Sequence, residues 1–237
     1  MREYAGPYQT EFAAQFDRVR LLVRQAQLEV SSRLGLLQYQ EGFRYPLTIR
    51  FDDGAPAGLE NALAYVRFGR RGQGFEQELV VNLDELAARP SDFDSVFYHE
   101  MTHAVMNDAV GEEASYRIPR WLQEGLAVFV SGDGDLRVQM AGDRLPKSLA
   151  RTLVFKLDGP VYGNAYPQYY LAVKYLLDKH SINAVQGVVR ELIEGKPLTE
   201  AIQNATGLSW EQYKQNVSAY SLRIFQDLAR PDHVAYR

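Results

Sequence analysis

Two histidines four positions apart, His99 and His103, with Glu100 directly after the first, are the strongest chemical signal in the sequence. On an α-helix, positions i and i+4 share a face, so both imidazoles can address one metal ion. Glu100 points about a quarter-turn away, where it can reach a water at that metal without joining the same tetrahedron. That is the geometry a metallohydrolase needs. A catalytic zinc keeps three protein ligands and one open position. The segment Pro119 to Ala127 offers the third ligand in Glu124, which follows His103 by 21 positions among Leu122, Leu126 and Ala127. The stretch 108–118 is long enough to turn the chain back antiparallel. A carboxylate in such an apolar run is costly to bury alone, and a metal removes that cost. The plain alternative is an exposed glutamate on an amphipathic helix.

The histidine motif, followed by Trp121-Leu122-Gln123-Glu124-Gly125, resembles the gluzincin metallopeptidases, in particular the compact bacterial peptidase MA-like domains. The resemblance runs over roughly residues 45–225. It takes in a tyrosine-rich helix at Tyr166 to Leu177, a helix at Ile182 to Glu194, and a segment Leu198 to Gln212 holding Thr206-Gly207-Leu208-Ser209. It implies a zincin-like fold, one Zn2+ per chain on His99, His103 and Glu124, and a peptide or protein as substrate. Peptide bonds would be hydrolysed by a zinc-activated water, with Glu100 as general base. A tyrosine from a later helix would donate to the developing oxyanion. Tyr166, just before Pro167 at an expected helix N-terminus, is the first choice, and Tyr162 and Tyr169 are its rivals.

Two departures qualify the resemblance. Some gluzincins carry an acid four residues after the third ligand, where it supports a ligating histidine. Here that position is Val128, which leaves Asp108 or a backbone carbonyl as the supporting group. No Gly-x-Met-Glu-Asn segment of the aminopeptidase kind is present, which favours an endopeptidase. The rival reading, from another class, is a catalytically inactive or latent peptidase-like binding or scaffold module. The intact Glu100 argues against it, because a binding module has no need of that base.

These side chains need elements to hold them. Phe12, Phe16, Val19, Val23, Ala26, Val30 and Leu34 recur at helical spacing, with Gly35 as C-cap. This helix is expected to pack on its own domain. Leu47, Ile49 and Phe51 alternate in a first strand, and Ala64, Val66 and Phe68 in a second. A third runs over about Phe75 to Leu83, and the glycine-rich stretch 69–74 reads as a hairpin loop. This third strand is expected at the sheet edge, lining the cleft and pairing with an extended substrate. A capping pair, Ser91 and Asp94, starts a helix running to about Asn107. Pro119 opens the next, which stops near Ser131-Gly132. Further helices are expected near 147–155, 167–180, 182–194 and 198–206. A last one starts at Ser209, with Gln212 completing a capping box. The order predicts an α+β fold forming one domain over 1–237. Its parts are an N-terminal helix at 1–40, a small mixed sheet at 45–90, zinc-binding helices at 91–132, and a helical part at 145–230.

Composition narrows the alternatives. The 237 residues carry a formal net charge of -4 with a pI near 5.6, so the basic footprint of a nucleic-acid binder is missing. Cysteine is absent, which rules out disulfides and thiolate chemistry. No run reaches transmembrane length, and the N-terminus lacks the apolar core of a signal peptide. Both a cytoplasmic chain and an exported one with its signal removed fit this. Asp133 and Asp135 read as a turn more readily than as a calcium loop. His180 and His233 lack ligand spacing. Asn204 and Asn216 head glycosylation sequons that fall on expected helices.

Overall fold

The computed structural model describes residues 2–4, 13–40, 42–53, 56, 58–71, 74–115, 118–144, 157 and 165–228. The helix expected near 147–155, Tyr162 and His233 lie outside these residues. The chain divides into two compact units, Met1–Arg117 and Ile118–Arg237.

In the first unit, helix α1 (Ala13–Leu34) buries Val19, Val23, Ala26, Val30 and Leu34 along the face expected for it. Gly35 ends it with φ 72°, and Leu36 N–H returns to the Ser31 carbonyl at 2.7 Å. Strands β1 (Arg2–Tyr4), β2 (Leu47–Asp52), β3 (Ala64–Arg71) and β4 (Gly74–Asn82) form a mixed sheet in the order β1-β2-β4-β3. β1, β2 and β4 run parallel, and β3 is antiparallel to β4. One sheet face contributes Ile49, Leu79 and Val81 to a core shared with Val19, Val23 and Ala26 of α1. α2 (Leu83–Ala88) follows β4 directly, capped by the Asn82 side chain, which accepts from the Asp84 and Glu85 amides. A 3-10 turn over Pro90–Asp92 then leads into α3 (Phe93–Ser115), which adds Phe97 and Met101 to the same core.

One expectation about the sheet is overturned. The strand near Phe75 to Leu83 is not an edge: β4 is paired with β2 on one side and with β3 on the other. Both of its hydrogen-bonding flanks are occupied, so it has none to offer another chain. The edge beside β4 is β3.

The second unit is helical in all its described elements: α4 (Arg120–Ser131), α5 (Gly134–Arg144), α6 (Tyr166–His180), α7 (Ile182–Ile193), α8 (Leu198–Thr206) and α9 (Trp210–Leu228). Four of them match the expected spans closely, and α9 begins with the expected capping box. Ser209 N–H donates to Gln212 Oε1 at 2.9 Å, and Gln212 N–H donates back to Ser209 Oγ at 3.3 Å. Its buried side packs Trp210 and Tyr213 against Trp121 of α4, and the Tyr213 hydroxyl donates to the Ala172 carbonyl of α6 at 3.0 Å. α5 begins within the turn expected at Asp133 to Asp135 and is an addition to the expected elements.

Candidate metal centre

α3 carries the histidine pair. Its inner face, Phe93, Phe97, Met101 and Ala104, is buried in the core of the first unit, which fixes the helix rotation about its axis. That rotation puts His99 and His103 on a shared flank, with His99 largely buried. Their Nε2 atoms stand 3.3 Å apart. Two nitrogens each about 2.0–2.1 Å from one tetrahedral zinc would stand about 3.3 Å apart, so the pair fits a shared zinc without moving. Glu100 lies beside them, and its Oε2 accepts a hydrogen bond from the Val66 backbone N–H of β3 at 2.9 Å.

Glu124 sits one turn into α4. Pro119 precedes that helix, its carbonyl accepting from the Leu122 and Gln123 amides, and Gln123 Nε2 donates to the Ile118 carbonyl at 2.7 Å. Gly132, with φ 79°, ends the helix in the left-handed conformation. Glu124 is mostly shielded, with side-chain exposure of 14%, while Arg120 one turn earlier is 72% exposed. The Arg120 Nε lies 3.5 Å from Glu124 Oε1. His99 and His103 stand in the first unit, and Glu124 stands in the second. Two imidazoles and a carboxylate form a donor set suited to zinc.

The tyrosines of α6 separate by environment. Tyr166 packs with Val128, Val138 and Tyr170, and the Arg137 guanidinium stands 5.5 Å from its ring centroid. Tyr169 is buried, and that burial pushes its phenol above the ordinary value; Arg120 opposes the shift and Glu124 adds to it. Tyr169 therefore shares the electrostatic surroundings of Glu124. Its carbonyl also meets α4: a Cβ built on Gly125 would stand 2.4 Å from the Tyr169 oxygen.

The remaining expected residues have other work. Asp108 is buried, and its Oδ1 accepts the Tyr45 N–H at 2.7 Å while its backbone carbonyl accepts from Arg44. Burial raises its carboxyl above the usual range, partly offset by those Tyr45 and Arg44 interactions. Asp108 thus joins the end of α3 to the start of β2. Val128 is fully buried in an apolar cluster. Asp133 pairs with Arg137 at 2.6 Å and accepts from Ser131 Oγ, while Asp135 accepts from the Tyr170 hydroxyl and faces Lys174 at 3.5 Å. Both carboxylates already have cationic partners, and Asp133 heads α5. His180 ends α6 edge-on to Tyr175. Two neighbours of the site, the Val66 amide and Arg120, had no place in the reading of the motif. Arg120 stands four residues before Glu124 and could have been found from that spacing; the Val66 amide has no sequence signal.

No helix among the described residues is long and apolar enough to cross a membrane. A family model described as the peptidase MA superfamily matches residues 46–221. No curated protein and no solved structure matches the chain.

Proposed function

Because the chain belongs to the peptidase MA superfamily, we propose that it is a zinc-dependent peptidase, acting as an endopeptidase, with His99, His103 and Glu124 as ligands. The observation that carries this reading is the 3.3 Å separation of the two Nε2 atoms, which equals the ligand spacing of a tetrahedral zinc. The shielded carboxylate of Glu124, 14% exposed on α4, is the third ligand in this reading. The family match runs without a break across the boundary at residues 117 and 118, which supports reading the chain as one catalytic domain. The substrate is a peptide or protein.

When bound, zinc supplies Lewis-acid polarisation and a water acidified to a pKa of about 7. Glu100 takes the proton from the attacking water and delivers it to the departing amine. The carbonyl oxygen gains charge as the carbon becomes tetrahedral and needs a hydrogen-bond donor. We assign that donor to Tyr169 in place of Tyr166. Tyr169 lies against α4 at Gly125, the residue after Glu124, whereas the Tyr166 ring is engaged with Arg137 and the apolar cluster around Val128. Tyr169→Phe is expected to lower kcat on the order of 10²-fold, as loss of an oxyanion donor does elsewhere. Tyr166→Phe should leave kcat within a few-fold of wild type. Steady-state kinetics on one cleaved peptide checks this, and the reverse ranking would return the role to Tyr166.

Metal analysis tests the centre itself. The purified chain is expected to hold about one zinc, and His103→Ala, which removes one of three protein ligands, is expected to lose it. Wild-type protein that carries no zinc after reconstitution would overturn the assignment.

A further inference from the structure

We infer that the backbone N–H of Val66 is the positioning group for Glu100, holding one carboxylate oxygen so that the other meets the water; this rests on the reading of Glu100 as general base. In an antiparallel pair, alternate residues turn their main-chain groups toward the neighbouring strand. The Leu63 carbonyl accepts the Asn82 N–H of β4 at 2.9 Å, so the odd-numbered residues of β3 face β4. The even-numbered ones, Ala64, Val66, Phe68 and Arg70, turn their amides to the free edge. Of these, the Val66 amide is claimed by Glu100 Oε2 at 2.9 Å.

This donor differs from a side chain in one respect. It is part of a strand whose opposite flank is fixed in the β3–β4 ladder, so its direction does not depend on a rotamer. A glutamate has three side-chain torsions, and a base must be held to within about 0.5 Å to work. A charge-assisted bond to a rigid amide supplies that restraint. Oε2 is committed to that bond. The same contact withdraws the Val66 amide from any substrate chain laid along β3, so pairing with substrate begins beyond it, toward Phe68.

Amide exchange followed by NMR on the full chain tests the contact without any activity. The Val66 amide is expected to exchange at least about tenfold more slowly than intrinsic rates would give, although it faces away from β4. The Phe68 amide is the control on the same edge; among the described residues it has no hydrogen-bond partner. In Glu100→Ala, Val66 should exchange as fast as Phe68, with Leu79 and Val80 still protected. Fast Val66 exchange in wild type, or protection that survives Glu100→Ala, overturns the inference. Kinetics adds a second arm. Proline is tolerated on an edge strand where the N–H faces outward, so Val66→Pro deletes the donor and spares the ladder. It should lower kcat on the order of 10²-fold with KM little changed, a far larger loss than in Val66→Ala, which keeps the donor. Equal kcat in the two variants overturns the inference. Should Val66→Pro fail to fold, the exchange measurement decides alone. Failure of the base assignment would look different: Val66 would stay protected while Glu100→Gln cleaved peptide as fast as wild type.

Discussion

Glu100→Gln is expected to retain zinc and fold and to lose peptide hydrolysis by at least about 10²–10⁴-fold, the range for removing a general acid–base. Three observations set this expectation apart from a simple loss of structure. The substitution is nearly isosteric. Glu100 is not one of the three proposed ligands, so the donor set is unchanged. The glutamine carbonyl oxygen can still accept the Val66 N–H, so the local hydrogen bond survives. What disappears is an oxygen basic enough to take a proton. The measurement is cleavage of an unbiased peptide library at neutral pH by wild type, the variant and chelated wild type, beside zinc content for each. Cleavage by wild type alone supports the peptidase. Equal cleavage by wild type and variant would remove Glu100 from the mechanism. No cleavage by any sample would favour the scaffold or latent reading.

Gly125→Ala is expected to destabilise the second unit by about 2–4 kcal/mol, a large effect for one methyl group. The added Cβ would stand 2.4 Å from the Tyr169 carbonyl oxygen and 2.9 Å from both the Tyr169 carbonyl carbon and Val173 Cγ2. The first of these is main chain inside α6, which cannot step aside as a flexible side-chain end can. α4 and α6 must therefore separate, and with them Glu124 and Tyr169, which flank the point of closest approach. A chemical denaturation midpoint measured against wild type checks the expectation. An unchanged midpoint would mean that the two helices have slack here. In contrast, Gly132→Ala tests only the left-handed end of α4, because a Cβ there meets nothing within 4 Å.

Much of this was legible in the order of residues, for identifiable reasons. The inner face of α1 and the alternation of β2 are repeated along each element, so no single exception could hide them. The capping box at Ser209 and Gln212 is local, and so is the i, i+4 spacing of His99 and His103. The misses are features decided at long range. α5 begins at Gly134 and contains Gly142, both poor helix formers, and it is held by neighbours. Gly134 lies against the Tyr170 ring so closely that a Cβ would fall 2.3 Å from it, and Gly142 faces Leu228. β1 is three residues long, and its partner β2 lies more than forty positions away. The order of the sheet escaped because β2 pairs with β4 across the intervening β3, and periodicity carries no information on which strand is a neighbour. The proposal of Tyr169 over Tyr166 draws on the position of Arg137, which sequence spacing does not reveal.

The open edge of β3 also bears on self-association. A strand with unpaired amides accepts any extended chain, and a second copy of the same protein is the most abundant candidate in a concentrated solution. β3 carries arginines at 67 and 70, both exposed. Charged side chains along an edge strand discourage pairing with the same edge of another copy. Glu100 already occupies the amide at Val66, so such a pairing would start with one hydrogen bond missing on each side. The edge therefore discourages growth into stacked sheets while leaving a short flank near Phe68 for a single extended peptide.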